Sequence, residues 1–124
     1  MIEKKIMQTT EPISVFLVDD DKAFFTSLKH HLQQKFKTSI ALMGFTSGED
    51  CLKYSYLRPD IVVLDYYLNN ENPVAMTGIE VLQKLKSESK DMIVIMLSAQ
   101  DTMEVAVTCV KNGAYEYVNP IYAI

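Results

Sequence analysis

The run Ile13-Ser-Val-Phe-Leu-Val18, halted by Asp19-Asp20-Asp21, decides the fold class. Its β-branched and aromatic side chains read as a strand, and the three carboxylates end it. Phe25, Leu28, Leu32 and Phe36 then recur at steps of three and four, which predicts an amphipathic helix. The same alternation continues outward. Ser39 to Phe45 reads as a second strand, Ser47 to about Ser55 as a short helix, and Ile61 to Leu64 as a compact strand ending at Asp65. Thr77 and Glu80 stand in capping-box spacing at the head of a third helix that reaches about Ser87. Met92 to Leu97, almost wholly apolar, reads as a fourth strand covered on both faces. Asp101 and Glu104 repeat the capping signal for a helix that stops at Asn112-Gly113, and Tyr115 to Val118 reads as a fifth strand. The order βαβαβαβαβ predicts a parallel sheet with helices on both faces.

Composition narrows the function. A chain of 124 residues fits one domain, here 13–124 after a short polar arm over 1–12. Twelve basic and sixteen acidic residues leave a net charge of −4, which gives no electrostatic footprint for nucleic acid or an anionic membrane. No apolar run is long enough to span a bilayer and no signal-peptide pattern opens the chain, so a soluble cytoplasmic protein is expected. Cys51 and Cys109 have no metal-ligand spacing and read as reduced core thiols. Met43, Met76, Met92, Met96 and Met103 read as core filler, and His30 and His31 as ordinary residues of the first helix.

In a parallel α/β sheet, functional groups collect beyond the carboxyl ends of the strands, where strand order reverses. Here Asp19, Asp20 and Asp21 follow strand one, Asp65 strand three, Ser98 strand four and Asn119 strand five. Carboxylates brought close repel one another, and an all-oxygen, half-open set suits Mg²⁺. A carboxylate beside such an ion can accept phosphate as a nucleophile, with the Ser98 hydroxyl placed to hydrogen-bond the new phosphoryl oxygens. A plainer reading stands beside this one: Asp21 is a natural helix N-cap, and the whole triplet would serve a helix N-terminus.

Five segments in order, Val-Phe-Leu-Val-Asp19-Asp20-Asp21, Pro59-Asp60-Ile-Val-Val-Leu-Asp65, Thr77-Gly78-Ile-Glu80-Val-Leu, Met-Leu-Ser98-Ala99 and Gly113-Ala114-Tyr-Glu-Tyr117-Val, resemble a response-regulator receiver domain of the CheY-like superfamily. The likeness covers about Ile13 to Pro120. It implies a doubly wound, flavodoxin-like sheet in the order 2-1-3-4-5, and two-component signalling as a phosphoprotein. A sensor histidine kinase or phosphotransfer protein would donate the phosphoryl group, and a downstream partner or effector domain would read it. By matching position, Asp65 would be phosphorylated, and Asp19, Asp20, Asp65 and the backbone carbonyl of Tyr67 would hold Mg²⁺ or Mn²⁺. Ser98 and Tyr117 would be the switch residues. Ala99, Gln100 and Asn119 would neighbour the phosphoryl site, with Gln100 and the Tyr67 side chain flanking the path of attacking water. The chain would not be an enzyme beyond its own phosphorylation and dephosphorylation.

The sequence departs from the family in three places. Asn119-Pro120 stands where a lysine usually precedes the proline, and a neutral amide gives a weaker hydrogen bond than a charged amine. Only Ile-Tyr-Ala-Ile follows Pro120, so the family's closing helix is not in this sequence, which a truncated or incomplete sequence explains in preference to a natural four-helix variant. The polar loop from Tyr66 to Thr77 is several residues longer than usual and is expected to run over solvent as a tolerated insertion, with kinase contact as the other reading. The first two departures motivate an alternative function, a degenerate receiver that binds partners independently of phosphorylation. A dehalogenase-type phosphatase fits poorly, because Tyr67 stands where a second aspartate is usual.

Overall fold

A computed structural model describes residues 11–99 and 102–119. Most of the expected arm, Gln100, Asp101 and the segment from Pro120 lie outside the described residues. Strands β1 (Ile13–Val18), β2 (Ile40–Phe45), β3 (Ile61–Asp65), β4 (Ile93–Leu97) and β5 (Glu116–Val118) alternate with helices α1 (Lys22–Phe36), α2 (Gly48–Lys53), α3 (Gly78–Glu88) and α4 (Met103–Lys111). Hydrogen bonding orders them β2-β1-β3-β4-β5, parallel throughout, as the resemblance implies. The chain leaves β1 for the edge strand β2 and returns on the other side of β1 as β3. The carboxyl ends of β1 and β3 therefore flank the point where the winding reverses.

Strand alternation divides the core in two. Phe16 and Val18, Val62 and Leu64, and Val94 and Met96 face one side, where they pack with Cys51 of α2, Val81, Leu82 and Leu85 of α3, and Cys109 of α4. On the other side Leu17 and Leu97 pack with Leu28 of α1 and its neighbours Phe25 and Leu32. β4 is therefore fully covered on the first face, while Ile93 and Ile95 on the second are half-buried. The described helix there is α1. Both cysteines are buried and free.

Local sequence explains the ends of the helices. Asp21 caps α1, accepting from the Phe24 N–H at 3.1 Å. At α3 the capping box is complete: the Thr77 hydroxyl accepts from Glu80 N at 3.2 Å, and Glu80 accepts from Thr77 N at 2.9 Å. α4 is capped by Thr102, whose hydroxyl accepts from Val105 N at 3.3 Å, one residue later than the Asp101–Glu104 pattern suggests. It ends at Asn112-Gly113, where Gly113 has φ +98°. Core filling by methionine holds for Met92 and Met96, and Met76 packs against the core. It fails for Met43 and Met103, which are 40% and 81% exposed. Met43 lies on the edge strand β2, and Met103 opens α4 on its outer side.

Candidate functional site

The strand ends bring the predicted carboxylates together and split the aspartate triplet by role. Asp21 turns outward as the helix cap, while Asp19 and Asp20 are only 3% and 7% exposed. One carboxylate oxygen from each of Asp19, Asp20 and Asp65 falls within 4.8 Å of the others. The capping reading of the triplet holds for Asp21, while Asp19 and Asp20 instead converge with Asp65.

Backbone donors aim each carboxylate. Asp19 Oδ1 accepts from Asp21 N at 2.9 Å, and Asp65 Oδ1 from Tyr67 N at 3.3 Å. Asp20 Oδ2 accepts from two successive loop amides, Asn70 N at 3.1 Å and Glu71 N at 3.2 Å. Asp20 Oδ1 is buried and has no hydrogen-bond partner among the described residues. No lysine or arginine among the described residues pairs with the three carboxylates, so no basic side chain among them offsets their repulsion. Burial pushes the Asp65 carboxyl up to about 8, and the Asp19 charge adds to it. Asp19 is raised to about 6, chiefly by burial, with the Asp20 charge contributing and the Asp21 amide opposing.

This donor set fits a small divalent cation. Three convergent carboxylates and, among the described residues, a buried oxygen without a donor and no compensating basic side chain supply what a hard, oxygen-seeking ion requires. The Tyr67 carbonyl expected to join them already accepts from the Asn70 side-chain amide at 3.4 Å, which leaves its second lone pair available. An open cleft of about 510 Å³ lies alongside, lined by Asp20, Asp21, Lys22, Ala23, Thr46 and Glu71.

Other predicted residues occupy the same edge. Ser98 follows β4, is 2% exposed, and its N–H donates to Val118 O at 3.1 Å. Ala99 beside it is exposed. Tyr117 on β5 is half-buried against the main core, and Asn119 after β5 is half-buried too. Gln100 lies outside the described residues.

The long β3–α3 loop is exposed over 70–74, as expected, but it is more than a surface insertion, because residues 70 and 71 hold Asp20. The sequence carried no sign of this: main-chain N–H groups do the holding, and every residue but proline has one. Gly78, quoted above only as part of a motif, also proves tied to the site. A Cβ there would collide with Asp65 O and come within 2.7 Å of Tyr66 O and 2.8 Å of Tyr66 Cα, all backbone atoms. Gly78→Ala is expected to cost about 2–3 kcal/mol in urea unfolding, since backbone cannot step aside as a flexible side chain can. A loss below about 0.5 kcal/mol would show that the β3–α3 junction yields.

Comparison with known proteins agrees with the geometry. Residues 15–120 match the family model of the response regulator receiver domain. The probable transcriptional regulatory protein TcrX of Mycobacterium tuberculosis is 30% identical over 114 residues, covering 92% of this chain and 46% of that protein. The photosynthetic apparatus regulatory protein RegA of Rhodobacter capsulatus is 28% identical over 120 residues, covering 96% of this chain and 61% of its own. The chain thus spans about half the length of the curated relatives it matches. Among solved structures, the BeF3-activated receiver domain of DrrB superposes with a TM-score of 0.73 at 27% identity, over 87% of this chain and 84% of that one. With sheet order, acidic triad and family model coinciding over the same residues, the chain belongs to the response regulator receiver domain family.

Proposed function

We propose that the protein is a phospho-acceptor that takes a phosphoryl group onto Asp65 and thereby changes a partner-binding surface. The observation that carries this reading is the convergence of Asp19, Asp20 and Asp65 at the β1/β3 switch point, with Asp20 Oδ1 buried and unpartnered. Receiver domains work with histidine kinases and effector domains; here the donor is a phosphohistidine on a sensor kinase or phosphotransfer protein. An Asp65 carboxylate oxygen attacks phosphorus, the P–N bond breaks, and imidazole leaves with a proton. Asp19, Asp20, Asp65 and the Tyr67 carbonyl would hold Mg²⁺ or Mn²⁺, which would supply neutralisation of charge at the reacting oxygens.

Ser98, at the adjoining strand end, donates its hydroxyl hydrogen to a phosphoryl oxygen, and Tyr117 on β5 responds to that displacement. Asn119 offers a neutral amide where the family usually has a charged amine. The chemistry acts on the protein itself, by acceptance and slow hydrolysis, and not on a separate substrate. A cytoplasmic setting accords with this role, and no helix of the described residues is long and apolar enough to cross a membrane.

Incubation with acetyl phosphate and Mg²⁺ tests the assignment. The wild-type chain is expected to gain one phosphoryl mass, with none on Asp65→Ala. An equal gain in that variant moves the acceptor elsewhere.

A further inference from the structure

We infer that the long loop between β3 and α3 is a strap that fixes the second carboxylate of the cation site and sets the affinity of that site. The inference rests on the metal-site reading above and concerns residues outside the acidic triad. Asn70 N and Glu71 N both donate to a single oxygen, Asp20 Oδ2, at 3.1 and 3.2 Å. Asp20 lies 50 residues from Asn70 in sequence, so this contact ties the loop to the end of β1. With Oδ2 taken, the carboxylate cannot rotate freely, and the buried, unpartnered Oδ1 is the oxygen left for an ion.

The rest of the loop is anchored so that these two amides stay in place. Asn72 closes a local turn, its side-chain oxygen accepting from Val74 N at 3.2 Å and its carbonyl from Ala75 N at 3.0 Å. Met76 N donates to Glu49 Oε2 on α2 at 2.9 Å, and Gly78 N to Tyr66 O at 3.0 Å. At the near end, the Asn70 side-chain amide reaches back to the Tyr67 carbonyl.

Two consequences follow from holding Asp20 in this way. Burial withdraws Oδ1 from solvent, so a cation there recovers more free energy than at a hydrated carboxylate, and no rotamer freedom is lost on binding. The coupling is also reciprocal: if the strap favours the ion, the ion must favour the closed strap. The loop then reports cation occupancy on the surface next to the phosphorylation site.

Proline at position 70 or 71 removes one donor each while deleting different side chains, and a chain lacking residues 69–72 removes both. Mn²⁺ titration of the full chain, read from the electron paramagnetic resonance signal of the free ion, is expected to show about tenfold weaker binding for Asn70→Pro and for Glu71→Pro. The deletion is expected to weaken binding further. Val74→Ala, at a 90% exposed loop position, is expected to stay within about twofold of wild type. Amide exchange of the wild-type chain gives a readout that does not depend on any variant folding: Mg²⁺ is expected to slow exchange at Asn70 and Glu71. Proline and deletion variants that bind like wild type, or loop amides indifferent to Mg²⁺, overturn the strap while leaving the cation site intact. A wild-type chain that binds no Mn²⁺ overturns the cation site, and the strap falls with it.

Discussion

Asp19→Asn combined with Asp20→Asn is expected to weaken Mg²⁺ or Mn²⁺ binding by at least about 100-fold while the protein stays folded. A small hard cation selects anionic oxygen, and the pair supplies two of the three carboxylates that converge at the site. Asparagine keeps the shape and one oxygen of each side chain but removes the charge. The fold should tolerate this because the core lies beneath these residues and the α1 cap belongs to Asp21. Removing two like charges also relieves repulsion that no basic side chain offsets among the described residues. Metal-free stability should therefore rise even as cation binding is lost. Titration of wild type and double variant decides the matter, and equal affinities would place the cation elsewhere.

The second large effect concerns pH. Asp65 is raised to about 8 and Asp19 to about 6, in both cases first by burial. In the unfolded chain each returns to the ordinary carboxylate range near about 4. Between those limits the folded state binds more protons at these two groups than the unfolded one, so their contribution to metal-free stability is fullest below about pH 4 and declines as pH rises towards 8. This is the reverse of the usual salt-bridged aspartate. Asp65→Asn removes the largest part of the slope. The variant should be more stable than the metal-free wild type at pH 8, by about 1–2 kcal/mol or a few degrees in Tm, and close to it at pH 5. Saturating Mg²⁺ should raise the wild-type Tm by mass action and shift the variant less. Thermal unfolding at the two pH values, with and without Mg²⁺, checks all of this. A stability difference between Asp65→Asn and the metal-free wild type that does not grow from pH 5 to pH 8 would contradict the assigned environment of Asp65.

Most of the fold was legible because its signals are local and periodic. Helix starts at Asp21 and Thr77 depend on side chains that cap within three residues, and both were readable. The convergence of Asp19, Asp20 and Asp65 was legible for a topological reason: in a parallel sheet every strand's carboxyl end lies on the same edge. The exposure of Met43 was not read from the strand's own residues; only the order 2-1-3-4-5 implied by the resemblance places strand two at the sheet's edge. The role of the loop was hidden more deeply. Asn70 and Glu71 act through main-chain N–H groups, and what matters is where the backbone passes, not which side chain it bears. Gly78 lay in between, present in the motif, but its reason appears only when the backbone of Asp65 and Tyr66 is seen against it.

The account turns on carboxylates from β1 and β3 sharing one divalent ion with Asp65 as acceptor. Beryllofluoride, which imitates a phosphoryl group on aspartate, tests that arrangement in one measurement. Fluorine NMR is expected to show a bound signal for the wild-type chain only when Mg²⁺ is added, and none for Asp65→Ala under the same conditions. A bound signal that persists without Mg²⁺, or that survives the loss of Asp65, would contradict it.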